Sequence, residues 1–149
     1  MDYSGYHSLQ VTHHGGGVAE VVMGQPGKLP AADAVGHGEL ARIWRDIEAD
    51  PDIAVVVVRG QEKGFSAGGT LDLVQAMADD ATTRARVWRE ARDIVYNMIN
   101  CPKIIVSAIN GPAVGGGPPV ALKEDNSIAA RNARLKDGHT RQSLAAGDH

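Results

Sequence analysis

Residues 64–70 read Gly-Phe-Ser-Ala-Gly-Gly-Thr. The first five fit the pattern G-x-S-x-G, in which a serine on a sharp strand-to-helix turn attacks an acyl group. Asp137 with His139, or Asp148 with His149, could fill a triad in the chain order Ser, Asp, His. The spacing argues against it. The apolar run Ile53–Val58 ends near Arg59–Gly60, and the residues Gln61–Phe65 then intervene before Ser66. That loop is longer than a nucleophile elbow allows. An Asp adjacent to its His, or two residues from it, also seldom places the carboxylate behind the imidazole. The other reading of Ser66 is a small loop residue whose hydroxyl bonds locally.

A second glycine cluster stands at 110–119, Asn-Gly-Pro-Ala-Val-Gly-Gly-Gly-Pro-Pro. Neither cluster has the spacing of a phosphate-binding G-x-x-x-x-G-K-[ST] loop or of a G-x-G-x-x-G dinucleotide fingerprint. Each cluster does follow an apolar strand-like run. If those strands are neighbours, both loops emerge on one side. One backbone N–H from each could then converge on a single oxygen, with glycine permitting the close approach. A helix opening after the second loop would add its N-terminal dipole. The alternative is that both clusters are only tight turns.

The elements that would position these loops are readable. Residues 8–13 and 18–23 alternate polar and apolar around a turn at 14–17, which predicts an antiparallel hairpin. Residues 24–30 read as loop. Leu40, Ile43, Trp44 and Ile47 fall on one face of a helix that Asp50-Pro51 ends. Residues 53–60 read as a strand buried on both faces. A short helix is expected near 71–79. A longer one is expected over 82–100, with Val87, Trp88, Ala91, Ile94, Val95, Met98 and Ile99 as its apolar stripe and Thr82 or Thr83 as its cap. Residues 103–110 and 126–130 read as strands, with a turn and short helix between them. The polar segment after residue 130 shows no period. Strands that lead into glycine loops and then helices indicate a layered α/β fold with function in the loops.

Composition narrows the partners. The chain has 149 residues, enough for one domain with a real core, and a net charge of −3 with no basic cluster. With aromatics also scarce, no nucleic-acid partner is expected. Cys101 is the sole cysteine, so neither an intrachain disulfide nor a Cys-rich zinc site can form, and no metal is expected. No apolar run approaches the roughly 20 residues needed to span a bilayer. The first residues lack the basic and apolar regions of a secretory signal. A cytoplasmic location is expected.

Three stretches together resemble the crotonase superfamily of enoyl-CoA hydratase/isomerase-like proteins: DPDIAVVVVRGQEKGFSAGGTLDL, CPKIIVSAINGPAVGGGPPVAL and DNSIAARNARLKDGH. The resemblance covers essentially the whole chain. It implies an α/β fold, a crotonase-like spiral of ββα units, with residues 1–149 forming one core domain that lacks the C-terminal helical part. It implies an acyl-CoA thioester as substrate, with no cofactor beyond the coenzyme A the substrate carries. The shared chemistry is stabilisation of a thioester enolate by two backbone amides, at the motif positions Gly69 and Gly116. A bent CoA would lie over the first loop near Ala67, with Gly68, Thr70, Leu71 and Gly115 lining the same substrate site. Lys28 and Ala31, in the segment KLPAA, are further candidate contacts. A homotrimer or dimer of trimers is implied for the full-length form.

The family's hydratases carry two glutamates. Here Pro119 stands at the first position and His139 at the second. Proline moves no proton, although it is tolerated in the first turn of a helix. His139 could serve as general acid or base, with Asp137 orienting it or acting alone. Thr70 also departs from the aspartate many members have. Isomerisation, decarboxylation or thioester cleavage could use the same pair of amides. A catalytically silent acyl-CoA binder or oligomer-forming member is the alternative, and Pro119 favours it.

Overall fold

The computed structural model describes residues 1–62, 64–115, 120 and 125–136. Strands β1 (Leu9–Gly15) and β2 (Val18–Met23) form the expected hairpin. Gly16 and Gly17 turn it, both left-handed at φ 60° and 79°. Two successive positive φ values match the right-handed twist of the flanking strands, and glycine adopts them without strain.

Helix α1 (Ala34–Ala49) starts where the Asp33 carboxylate accepts the Gly36 N–H at 2.8 Å. It ends at Asp50, before Pro51, and buries Ile43, Trp44 and Ile47 completely. Strand β3 (Val55–Gly60) follows, then α2 (Leu71–Asp79), α3 (Ala81–Asn100), β4 (Ile104–Ile109), β5 (Pro112–Val114), β6 (Asn126–Ala129) and β7 (Arg134–Lys136). One sheet runs in the order β1-β2-β3-β4-β6, and a second pairs β5 with β7. Strands β2, β3, β4 and β6 are parallel. Sequence adjacency in β3 and β4 therefore becomes spatial adjacency, and both strands deliver their chain ends to one edge of the molecule. Val56, Val58, Ile105 and Ile109 pack with the α1 residues and with Ile94 and Met98 of α3 in a single core. That burial is the main stabilising contribution.

Several expectations are corrected. β3 is fully buried on one face only, since Val55 and Val57 are half-buried. The α3 stripe is narrower than its periodicity suggests. Val87, Ile94 and Met98 are buried, but Trp88 is 62% exposed and Ile99 60%. The helix packs on α1 along a thin line, so residues at the margins of the apolar arc stay in solvent. Its cap is Asp80, whose carboxylate accepts the N–H groups of Thr82 and Thr83, rather than either threonine. Two short strands, β5 and β7, stand where a turn and a polar loop were expected. The helix expected after the second glycine loop lies outside the described residues except for Val120, which is buried. Among the described residues no helix is long and apolar enough to cross a membrane.

Candidate active site

The chain leaves β3 at Gly60 and folds back on itself. A Cβ built on Gly60 would lie 2.0 Å from the Gly64 carbonyl oxygen and 2.5 Å from the Phe65 Cα. Only glycine allows this close return. Phe65 is fully buried and anchors the loop in the core. The following backbone is then held from two sides. On one side, the Phe65 and Ser66 N–H groups both donate to the Pro112 carbonyl of β5, at 2.9 and 3.1 Å, and Val114 N–H donates to the Ser66 carbonyl at 2.9 Å. On the other, residues 30–32 run alongside as a short parallel bridge, Ala32 opposite Gly69. Ala67 N–H donates to Pro30 O at 2.5 Å, Ala32 N–H to Gly68 O at 2.8 Å, and Thr70 N–H to Ala32 O at 2.9 Å.

Gly68 N–H is taken by the Ser66 hydroxyl oxygen at 3.1 Å. Ser66 thus makes the local bond expected of a small loop residue. Every N–H from Gly64 to Thr70 then has a protein acceptor except that of Gly69, which has none among the described residues. Gly69 is exposed, in a run where Gly68 and Phe65 are buried. It immediately precedes Thr70, whose side chain caps α2 by accepting the Leu73 N–H at 3.3 Å. The free amide therefore sits at the positive end of a helix.

The second loop reaches the same place. Gly115 is left-handed at φ 61°, and a Cβ there would stand 3.4 Å from the Gly68 Cα. Gly115 N–H donates to the Lys136 carbonyl at 3.1 Å, which anchors this loop to β7. The two glycine clusters, some fifty residues apart in sequence, are in contact.

Gly68, Gly69, Ala67, Thr70, Leu71 and Gly115 are thus gathered into one surface. Ala31 joins them through the 30–32 bridge and is exposed, while Lys28, also exposed, bonds Gln25 at 3.5 Å. Gly116, Pro119, Asp137 and His139 lie outside the described residues. Sequence reasoning missed the parts played by Pro30, Ala32 and Pro112, which act through carbonyl oxygens that every residue carries. It also missed the Asn110 side chain, which spans the ends of β3 and β4. The described residues contain no cluster of three or more His, Cys, Asp or Glu placed to hold a metal ion.

Comparison with known proteins places the fold in a family. The profile of the enoyl-CoA hydratase/isomerase family matches residues 13–146. The chain is 35% identical over 129 residues to (E)-benzylidenesuccinyl-CoA hydratase of Thauera aromatica, covering 86% of this chain and 48% of that protein. It is 31% identical over 153 residues to the mitochondrial Delta(3,5)-Delta(2,4)-dienoyl-CoA isomerase of Homo sapiens, covering 95% and 46%. Among solved structures, an enoyl-CoA hydratase/isomerase from Mycobacterium paratuberculosis superposes with a TM-score of 0.90 at 33% identity, covering 95% of this chain and 56% of that one. The chain spans about half the length of the curated relatives it matches. By profile, identity and crotonase-type fold, the chain belongs to the enoyl-CoA hydratase/isomerase family.

Proposed function

We propose that the protein binds an acyl-CoA thioester and stabilises its enolate with two backbone amides, Gly69 N–H and Gly116 N–H. One observation carries the reading: Gly69 N–H is the sole amide of residues 64–70 without a protein acceptor among the described residues. A pre-aimed, unoccupied donor beside a helix N-terminus suits an oxygen that gains negative charge during reaction. Negative charge develops on the thioester oxygen whenever a proton leaves the α carbon or water adds at the β carbon. The same pair of amides then serves hydration and isomerisation alike. Removing one such donor typically costs about 10²–10³ in turnover.

His139 is the proposed proton carrier, since Pro119 cannot fill that role, with Asp137, two residues away in sequence, orienting it or acting alone. Ala67, Gly68, Thr70, Leu71, Gly115, Lys28 and Ala31 form the proposed binding surface for the CoA ester. Assembly as a homotrimer or dimer of trimers is the proposed state of the full-length form. Pro119 favours a second reading, a catalytically silent binder with the same hole.

Acetoacetyl-CoA tests the hole apart from the proton carrier. This β-keto thioester ionises readily by itself, and its enolate has its own near-ultraviolet band. Wild-type protein should bind it and raise that band. Gly69→Pro, which deletes the N–H, should bind without raising it. Gly69→Ala should behave as wild type, because among the described residues its Cβ would meet nothing closer than Leu73 Cδ2 at 3.7 Å. Binding with no band in the wild type overturns the hole. Loss of the enone absorbance of crotonyl-CoA, abolished by His139→Ala, separates the active reading from the silent one.

A further inference from the structure

The parallel ladder between β3 and β4 pairs backbones up to Arg59 opposite Ala108. Two residues on, the main chain of β4 departs toward β5, and the ladder should stop. The side chain of Asn110 continues it instead. Its Oδ1 accepts the Gly60 N–H at 3.2 Å, and its Nδ2 donates to Gly60 O at 3.3 Å and to Gln61 O at 2.8 Å. A carboxamide presents one acceptor and two donors, the groups needed here, and the two facing carbonyls fix which end is nitrogen. Gly60 and Gln61 are buried; the Asn110 side chain takes up the Gly60 N–H and adds to the donors that reach the two carbonyls, Arg59 Nη1 at 3.2 Å from Gly60 O and Gly64 N–H at 3.1 Å from Gln61 O.

The consequence is mechanical. Because the side chain stands in for a peptide group, the backbone after Asn110 is free to turn. Pro112–Val114 then reaches Phe65 and Ser66, and Gly115 reaches Gly68. We propose that Asn110 is a positioning residue that clasps the two glycine loops together, fixing the separation between the backbone at Gly68–Gly69 and Gly115. The clasp is a statement about loop geometry; only its effect on enolate binding rests on the function proposed above.

Residue-resolved amide exchange tests the clasp with no ligand. In Asn110→Ala, exchange at Gly60, Phe65 and Ser66 should quicken at least tenfold, while the core amides of α1 and α3 keep their rates. In Asn110→Asp the acceptor survives and the donor is lost. Gly60 should stay protected there, while Phe65 and Ser66 quicken. Unchanged exchange at Phe65 and Ser66 in both variants overturns the proposal, as does an equal rise throughout α1 and α3. The catalytic consequence is read with acetoacetyl-CoA: the enolate band per bound ligand should fall about tenfold in Asn110→Asp, with total affinity within threefold. A full band in that variant overturns the positioning role. A wild type that binds without a band overturns the two-amide hole instead, and the exchange result still decides the clasp.

Discussion

Gly60→Ala separates a glycine needed for packing from one needed for its amide. The new methyl would stand 2.0 Å from Gly64 O, 2.4 Å from Phe65 O and 2.5 Å from Phe65 Cα, against 3.4 Å for ordinary contact, so the loop must retreat by ~1.4 Å. All three atoms are backbone, so no side chain can simply rotate away. The retreat strains the Gly64 N–H to Gln61 bond of 3.1 Å and the Phe65 N–H to Pro112 bond of 2.9 Å, and draws the fully buried Phe65 ring from its site. Two hydrogen bonds at about 1 kcal/mol each, plus partial loss of a packed ring, suggest a destabilisation of about 3 kcal/mol. Trp44 reports it well, because it is fully buried, whereas the exposed Trp88 changes little on unfolding. With a urea slope of about 2 kcal/mol per molar, the fluorescence midpoint should fall by about 1.5 M. Gly69→Ala, measured alongside, should shift it by less than about 0.5 M. A Gly60→Ala midpoint within 0.3 M of wild type (roughly 0.6 kcal/mol) would refute the close-return reasoning.

Other perturbations test other parts. Asp33→Ala removes the acceptor for Gly36 N–H at the start of α1 and should cost about 1 kcal/mol by thermal or urea unfolding, with Asp33→Asn recovering most of it. Asp50 is buried at the end of α1. Burial pushes its carboxyl up, but bonds from the Asp52 N–H at 2.9 Å and the Tyr3 hydroxyl at 2.9 Å, together with the Met1 ammonium at 3.4 Å, outweigh it and hold the group below its ordinary 3.8. A lowered folded value means the stabilisation is present above that pH and is lost as pH falls below it. Wild type should therefore lose midpoint steeply below about pH 4, and Asp50→Asn should start lower and show a shallower acid limb.

Much of the site was legible because its elements are built from strong local signals. A β-branched run bounded by glycine gives a strand wherever it sits, and β3 and β4 were located by that signal. Their being neighbours was a condition rather than a reading, and the parallel register met it. What stayed hidden depends on partners remote in sequence. β5 and β7 have three residues each, too few for any period, and they are held by each other and, for β5, by the backbone at Phe65–Ser66. The cap of α3 is Asp80 because an aspartate just ahead of the helix accepts two amides at once, where a threonine inside the first turn reaches none. Trp88 reads as core by spacing, yet no described element covers it. Asn110 looks like one more turn residue before glycine until its side chain is seen across from Gly60.

The order of strands across the larger sheet is also their order along the chain. A polypeptide emerging from the ribosome would thus lay down each strand against a flank already built, with the hairpin as template. No early strand has to wait for a distant partner, which shortens the time that unpaired edges are open to other chains. Nascent chains arrested after β4 should therefore already resist brief proteolysis between Leu9 and Ile109. Cleavage throughout that span would mean that assembly waits for the last strand.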